Sequence, residues 1–115
     1  MIKVVWFLKR AEHLSLAQFR EWWLTRHAPE IAADQKPYLK RYIVKVRRED
    51  DGELAAGRPK DDSPWDGMAE QWFDTAEDYN AVYGRSDRPT RADTLANTSR
   101  FERLVVDEFE IPVDA

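Results

Sequence analysis

The spacing of apolar and polar residues changes several times along the chain, and each change marks an element. Ile2 to Lys9 is rich in β-branched and aromatic residues and runs into Lys9-Arg10, which reads as a first strand arriving at a polar loop. Ser15 then precedes Leu16, with Gln18 three residues later, a capping box that starts a helix at Leu16. Phe19, Trp23 and His27 follow at four-residue spacing beside Leu16 and Trp22, so one stripe is apolar and ends in an imidazole. Arg20, Glu21 and Thr25 form the opposite face. Pro29 lacks a backbone donor and disfavours helical geometry at Ala28, which predicts a break or kink just after His27 and a short continuation through Ile31 and Ala33.

From Tyr38 to Val46 the pattern alternates. Tyr38, Tyr42, Val44 and Val46 share one parity, and Leu39, Arg41, Ile43 and Lys45 the other, which gives a second strand. Arg47 to Pro64 shows neither period and reads as a long irregular connection. A third strand spans Asp66 to Phe73, with Asp66, Met68, Glu70 and Trp72 on one face and Ala69, Gln71 and Phe73 on the other. Asp74-Thr75 opens a second helix through Tyr79, Val82 and Tyr83 that stops at Gly84. A short helical pattern follows at Ala92 to Ala96, and Phe101 to Ile111 reads as a last strand ended by Pro112. The order β-α-β-β-α-β predicts a ferredoxin-like α+β fold over residues 1–115 as one domain, a four-stranded antiparallel sheet with both helices on one face. Both parities of the middle strands carry large apolar side chains, so a second copy is expected to cover the other face and form a homodimeric α+β barrel.

Charge narrows the partners. Lys and Arg total 18 against 22 for Asp and Glu, a net charge of −4, and the basic residues are scattered, so a nucleic-acid partner is not expected. The longest apolar run, Val4-Val5-Trp6-Phe7-Leu8, is too short for a membrane span, and no leader pattern precedes it, so the expected location is the cytoplasm. With no cysteine, two histidines and no HExxH spacing, no metal site is expected. The absence of Gly-rich phosphate loops and of GxSxG argues against nucleotide enzymes and serine hydrolases, and no cofactor is expected.

Five Trp, four Tyr and five Phe are many for a core of this size and suit a pocket for a flat apolar or aromatic small molecule as well as they suit an aromatic core or an interface. His27, at the end of the aromatic stripe, is the leading proton-transfer candidate. Its alternative is a buried histidine anchoring the bend at Pro29. Glu70 and Asp66 share a face of the third strand and would orient an imidazole or hold a substrate hydroxyl if that face lines a cavity. If it faces outward, Glu70 pairs with an arginine across the interface instead. The Tyr42 hydroxyl could donate to a developing oxyanion, and Trp6, Trp23, Tyr38 and Trp72 could stack on a ring. His13, beside Glu12, is expected to be solvated. The run Arg85 to Arg91 could clamp a carboxylate, but a solvated loop balanced by Asp87 and Asp93 is the preferred reading.

Three stretches together resemble the EthD-domain family of dimeric α+β barrel proteins: Phe7-Leu8-Lys9-Arg10 before a Ser-capped helix, Phe19-Arg20-Glu21-Trp22-Trp23-Leu24-Thr25-Arg26-His27-Ala28-Pro29, and Asp66-Gly67-Met68-Ala69-Glu70-Gln71-Trp72-Phe73-Asp74. Val106-Asp107-Glu108-Phe109 is similar to that family's final strand, whereas the long polar connection after Arg47 departs from it. The resemblance implies a cavity in each subunit of a dimer. It implies chemistry more loosely: cofactor-independent dehydration, cyclisation or isomerisation of an aromatic or polyketide-like molecule. The other classes are a non-catalytic binding or accessory protein and a cofactor-free or haem-dependent monooxygenase.

Overall fold

The computed structural model describes residues 1–54 and 63–114. Four strands, β1 (Ile2–Arg10), β2 (Leu39–Val46), β3 (Gly67–Phe73) and β4 (Thr98–Val106), form one antiparallel sheet in the order β2-β3-β1-β4. The helices are α1 (Leu16–Trp22), a π-helical turn (Trp23–His27), α2 (Ala28–Gln35), α3 (Ala76–Tyr83) and α4 (Arg91–Asn97). A 3-10 turn at Asp51–Glu53 lies in the connection after β2, and much of the rest of that connection, residues 55–62, falls outside the described residues.

Sheet register decides which side chains can meet. Trp6 stands opposite Ala69 on one side and Arg103 on the other, while Val4 and Tyr42 both stand opposite Gln71. These positions share the face that packs on the helices, where Leu8 and Ala69 join Phe19, Trp22 and Trp23, and Val4 and Phe73 join Val82. The alternate rows, with Lys3 opposite Trp72 and Val5 opposite Glu70, occupy the outer face.

Local chemistry explains the element boundaries. The Ser15 hydroxyl accepts from the Gln18 backbone N–H and the Gln18 side chain accepts from the Ser15 N–H, completing the capping box. At α3 the Thr75 hydroxyl accepts from the Asp78 N–H, a one-way cap, and Gly84 closes the helix. Several boundaries differ from the sequence expectation by a residue: β1 ends at Arg10 rather than Lys9, α4 extends one residue beyond Ala92 to Ala96 at each end, Leu39 rather than Tyr38 opens β2, because the Tyr38 N–H closes a turn onto the Gln35 carbonyl, and Gly67 rather than Asp66 opens β3. The last strand is displaced further. It begins at Thr98 rather than Phe101 and ends at Val106 rather than Ile111, because Val106 pairs with Lys3 at the end of β1 and no neighbouring strand continues beyond it.

The helix does not break at Pro29 as expected: Ala28 keeps helical geometry and the chain runs through the π turn straight into α2. Pro29 has no N–H for the Thr25 carbonyl and its ring crowds that oxygen, while the Thr25 hydroxyl donates to the Glu21 carbonyl at 2.6 Å. The turn before it widens, and the Ala28 N–H reaches Trp23, five residues back. As a result His27 does not stack below Trp23 as four-residue spacing predicts. It lies on Trp22, with ring centroids 4.6 Å apart and planes 21° apart.

Candidate active site

Between the helices and the inner face of the sheet lies a cavity of about 70 Å³, lined among others by Trp6, Trp23, His27, Tyr42, Gln71 and Thr94. That is room for roughly five water molecules, about what one substituted aromatic ring occupies.

His27 is buried on the wall of this cavity. Its Nδ1 lies 3.1 Å from Asp93 Oδ2, and its Nε2 lies 3.4 Å from Thr94 Oγ1. A carboxylate accepts, so the bonding assigns the proton to Nδ1 and leaves the Nε2 lone pair at the cavity wall. Asp93 is itself held: the Trp22 indole N–H donates to both carboxylate oxygens at 3.1 Å, and the Asn97 amide donates to Oδ1 at 3.2 Å. Burial pushes the His27 pKa below its usual 6.5, against the opposing pull of Asp93, so the imidazole is neutral near pH 7. A neutral imidazole oriented by a fixed carboxylate is equipped to accept a proton at Nε2.

Tyr42 also lines the cavity, and burial pushes its hydroxyl up to about 12, against a smaller downward pull from the Trp23 indole N–H. That indole N–H is buried and completes no hydrogen bond of good geometry among the described residues. Behind these groups lies a satisfied polar network. The Trp6 indole N–H donates to Gln71 Oε1 at 3.0 Å and to the Tyr83 hydroxyl at 3.1 Å, Tyr83 donates to Gln71, and Gln71 Nε2 donates to Gln35 Oε1 at 2.9 Å. Fully bonded buried networks of this kind fix side-chain orientation.

Of the residues singled out in the sequence, the structure brings His27, Tyr42, Trp6 and Trp23 together around the cavity. Tyr38 lies apart from them, packed against the cluster of Val4, Phe73 and Val82. Trp72 and Glu70 stand on the outer face. There the Arg41 guanidinium lies 4.7 Å from the Trp72 ring, and Glu70 pairs with Lys3 at 2.9 Å and Lys45 at 3.2 Å. Within its own chain Glu70 is thus paired with two lysines, and the Lys3 hydrogen bond holds its carboxyl below the usual range. Asp66 is fully buried away from His27 and accepts from the Arg10 backbone N–H at 2.9 Å and the Arg10 guanidinium at 2.8 Å, with Arg47 at 3.2 Å. The adjoining Gly67 is required by packing, since a Cβ there would lie 2.6 Å from both the Trp23 ring and the Lys45 carbonyl oxygen. Asp93 is the residue that sequence reasoning missed. The expectation of a solvated counter-ion gives way to a hydrogen-bonded partner of the histidine, and the helical pattern around Ala92 was the available signal. Among the described residues no group of three or more His, Asp or Glu side chains is placed to hold a metal ion, and no helix is long and apolar enough to cross a membrane.

The strand order and the one-sided helices define a ferredoxin-like α+β domain with a partly open cavity between its layers. The family model of the EthD domain matches residues 11–93, most of the chain, and the protein belongs to that family. Solved structures agree on the fold. An ethyl tert-butyl ether degradation (EthD) family protein of Bacillus halodurans C-125 is 18% identical with a TM-score of 0.67, over 95% of this chain and 99% of that one. The Arabidopsis thaliana protein At3g17210 is 10% identical with a TM-score of 0.63, over 98% and 100% of the two chains. A dimeric protein of unknown function with a ferredoxin-like fold from Bacteroides fragilis is 10% identical with a TM-score of 0.61, over 93% and 95%. No curated protein matches the chain.

Proposed function

We propose that the protein is a small cofactor-independent enzyme that moves a proton on a compact aromatic substrate, in the manner of a dehydratase, cyclase or isomerase. The observation that carries this reading is the His27–Asp93 pair at the wall of an aromatic cavity. His27 Nε2 takes the proton from carbon or hydroxyl, and Asp93 keeps Nδ1 protonated and stabilises the imidazolium that forms. Tyr42, whose hydroxyl stays protonated up to about pH 12, donates a hydrogen bond to the enolate or phenolate oxygen. Trp6 and Trp23 flank the ring. Glu70 and Asp66, tied to lysines and arginines elsewhere, take no part in this scheme.

The test is deuterium uptake from D₂O at the benzylic carbon of phenylacetone, a neutral single-ring ketone, followed by proton NMR. Wild type should accelerate exchange, and His27→Gln should lower the enzymatic rate by about 10²-fold or more while melting cooperatively. Asp93→Asn should lower it less. Saturable binding of phenylacetone without exchange would instead make the protein a binder.

The same reading includes a homodimer formed through the outer face. Phe7, Ile43 and Met68 are half-buried there and Leu104 is exposed, an apolar surface that suits a second copy. Leu104→Glu should shift the sedimentation of a dimer toward monomer.

A further inference from the structure

One side of the cavity carries more positive charge than the described residues neutralise. Arg85, Arg88 and Arg91 line it together with Thr90. Arg85 is paired with Asp34, but Arg88 and Arg91 make no ion pair among the described residues. Behind them lies Arg103, whose guanidinium is 4.6 Å from the Tyr83 ring centroid, with that of Arg88 5.3 Å from the same ring. Arg103 Nη1 is buried and has no hydrogen-bond partner among the described residues. Burial pulls the Arg88 pKa down, and the neighbouring charges of Arg103, Arg91 and Arg85 add to that pull. Arg91 is exposed at the rim and Arg88 half-buried, so solvent relieves part of their repulsion, and the cluster does not follow from composition, since the whole chain carries −4. Of the nearby carboxylates, Asp34 is taken by Arg85 and Asp93 by His27, Trp22 and Asn97, while Asp87 is exposed and makes no ion pair with Arg88 or Arg91 among the described residues.

We infer that this side of the cavity is an anion subsite, in which Arg88 and Arg91 receive the carboxylate of a single-ring aromatic acid whose ring fills the space beside Trp6, Trp23 and Tyr42. The inference rests on the proposed function for the ring site and names the class of substrate it takes. Size and charge point the same way. A cavity of about 70 Å³ accepts one ring and little more. A carboxylate's two oxygens match the forked donors of guanidinium groups. The short helix α4 couples the two ends, since it carries Arg91 and, two residues on, the Asp93 that orients His27. Arg103 lies over the Trp6 and Tyr83 rings behind the cavity wall.

The test is calorimetric titration of wild type and of Arg88→Gln, Arg91→Gln and the double variant with benzoate and with its neutral counterpart benzamide, at low and high salt, with melting curves to confirm folding. Benzoate should bind wild type about 10-fold or more tightly than benzamide. The double variant should erase that preference with benzamide binding unchanged, and salt should weaken only benzoate. Equal binding of the two ligands by wild type, or equal weakening of both by the substitutions, overturns the subsite. So does failure of benzoate to bind. Phenylacetone exchange separates this outcome from the wider reading: exchange retained without a benzoate preference removes the anion subsite alone, and benzoate preference retained without exchange removes the proton-transfer chemistry alone.

Discussion

The two faces of the sheet treat their charges differently. On the outer face Glu70 is neutralised within the chain by Lys3 and Lys45, and Asp66 at the start of β3 is enclosed by Arg10, Arg47 and Lys9. On the inner face Asp93 accepts from an indole, an amide and an imidazole, the imidazole keeps its second nitrogen at a cavity wall, and Arg88 and Arg91 have no ion pair among the described residues. A carboxylate in aromatic company therefore does not by itself mark a site. What distinguishes the inner face is polar groups oriented by one set of bonds with further bonding capacity beside a cavity.

The comparison breaks most visibly at Asp66. Asp66→Ala leaves two guanidiniums and an ammonium facing one another around a fully buried position, and losing one partner of a buried charge cluster costs about 3–5 kcal/mol. Urea denaturation should show that loss, while the molecules that remain folded still bind an aromatic ligand. Loss of binding with stability intact would move Asp66 to the functional side of the comparison. A smaller effect is expected at Gly67, where an added methyl meets the buried Trp23 ring and a backbone carbonyl. Gly67→Ala should cost about 1–3 kcal/mol and displace Trp23 toward the cavity, weakening ligand binding as well.

These two positions also show how far the sequence was legible. Strand parity placed Met68, Glu70 and Trp72 on one face and Ala69, Gln71 and Phe73 on the other, and the register agrees, but parity cannot say which face meets the helices. That choice depends on tertiary packing, and it separated Glu70 and Trp72 from His27. A π turn before Pro29 replaces the expected break, with Ala28 helical and the chain running on into α2, whereas the capping box was readable because it is local. The π turn was not, since it changes a four-residue contact into a five-residue one and exchanges Trp23 for Trp22 beneath the imidazole. Asp93 lay out of reach for another reason: it stands 66 positions from His27, and among arginines, Pro89 and a polar helix its pattern is that of a solvated surface.

The smallest predicted effect is on the pH dependence of stability. His27 has a folded pKa below 6.5, so the unfolded chain binds more protons as pH falls through 6.5, and the protein loses stability from there down to the folded value. Glu70 is also depressed, by Lys3 first, and its contribution is present above its ordinary 4.5 and lost only at lower pH. Melting temperatures between about pH 7 and about pH 3 should therefore fall in one window that opens at 6.5 and a second that opens at 4.5. His27→Gln should flatten the upper one and Glu70→Gln the lower, each without touching the other.

The measurement that tests the account most directly is nitrogen-15 NMR of the two histidine rings across pH, in wild type and Asp93→Asn, with and without benzoate. His27 is expected to carry its proton on Nδ1, titrate below 6.5, shift its Nε2 resonance when benzoate binds, and lose its tautomer preference in Asp93→Asn, while neither benzoate nor Asp93→Asn affects the His13 ring. A proton on Nε2, a His27 that titrates above 6.5, or an imidazole indifferent to both ligand and Asp93 would contradict it, and would make His27 a packing residue of the bend at Pro29.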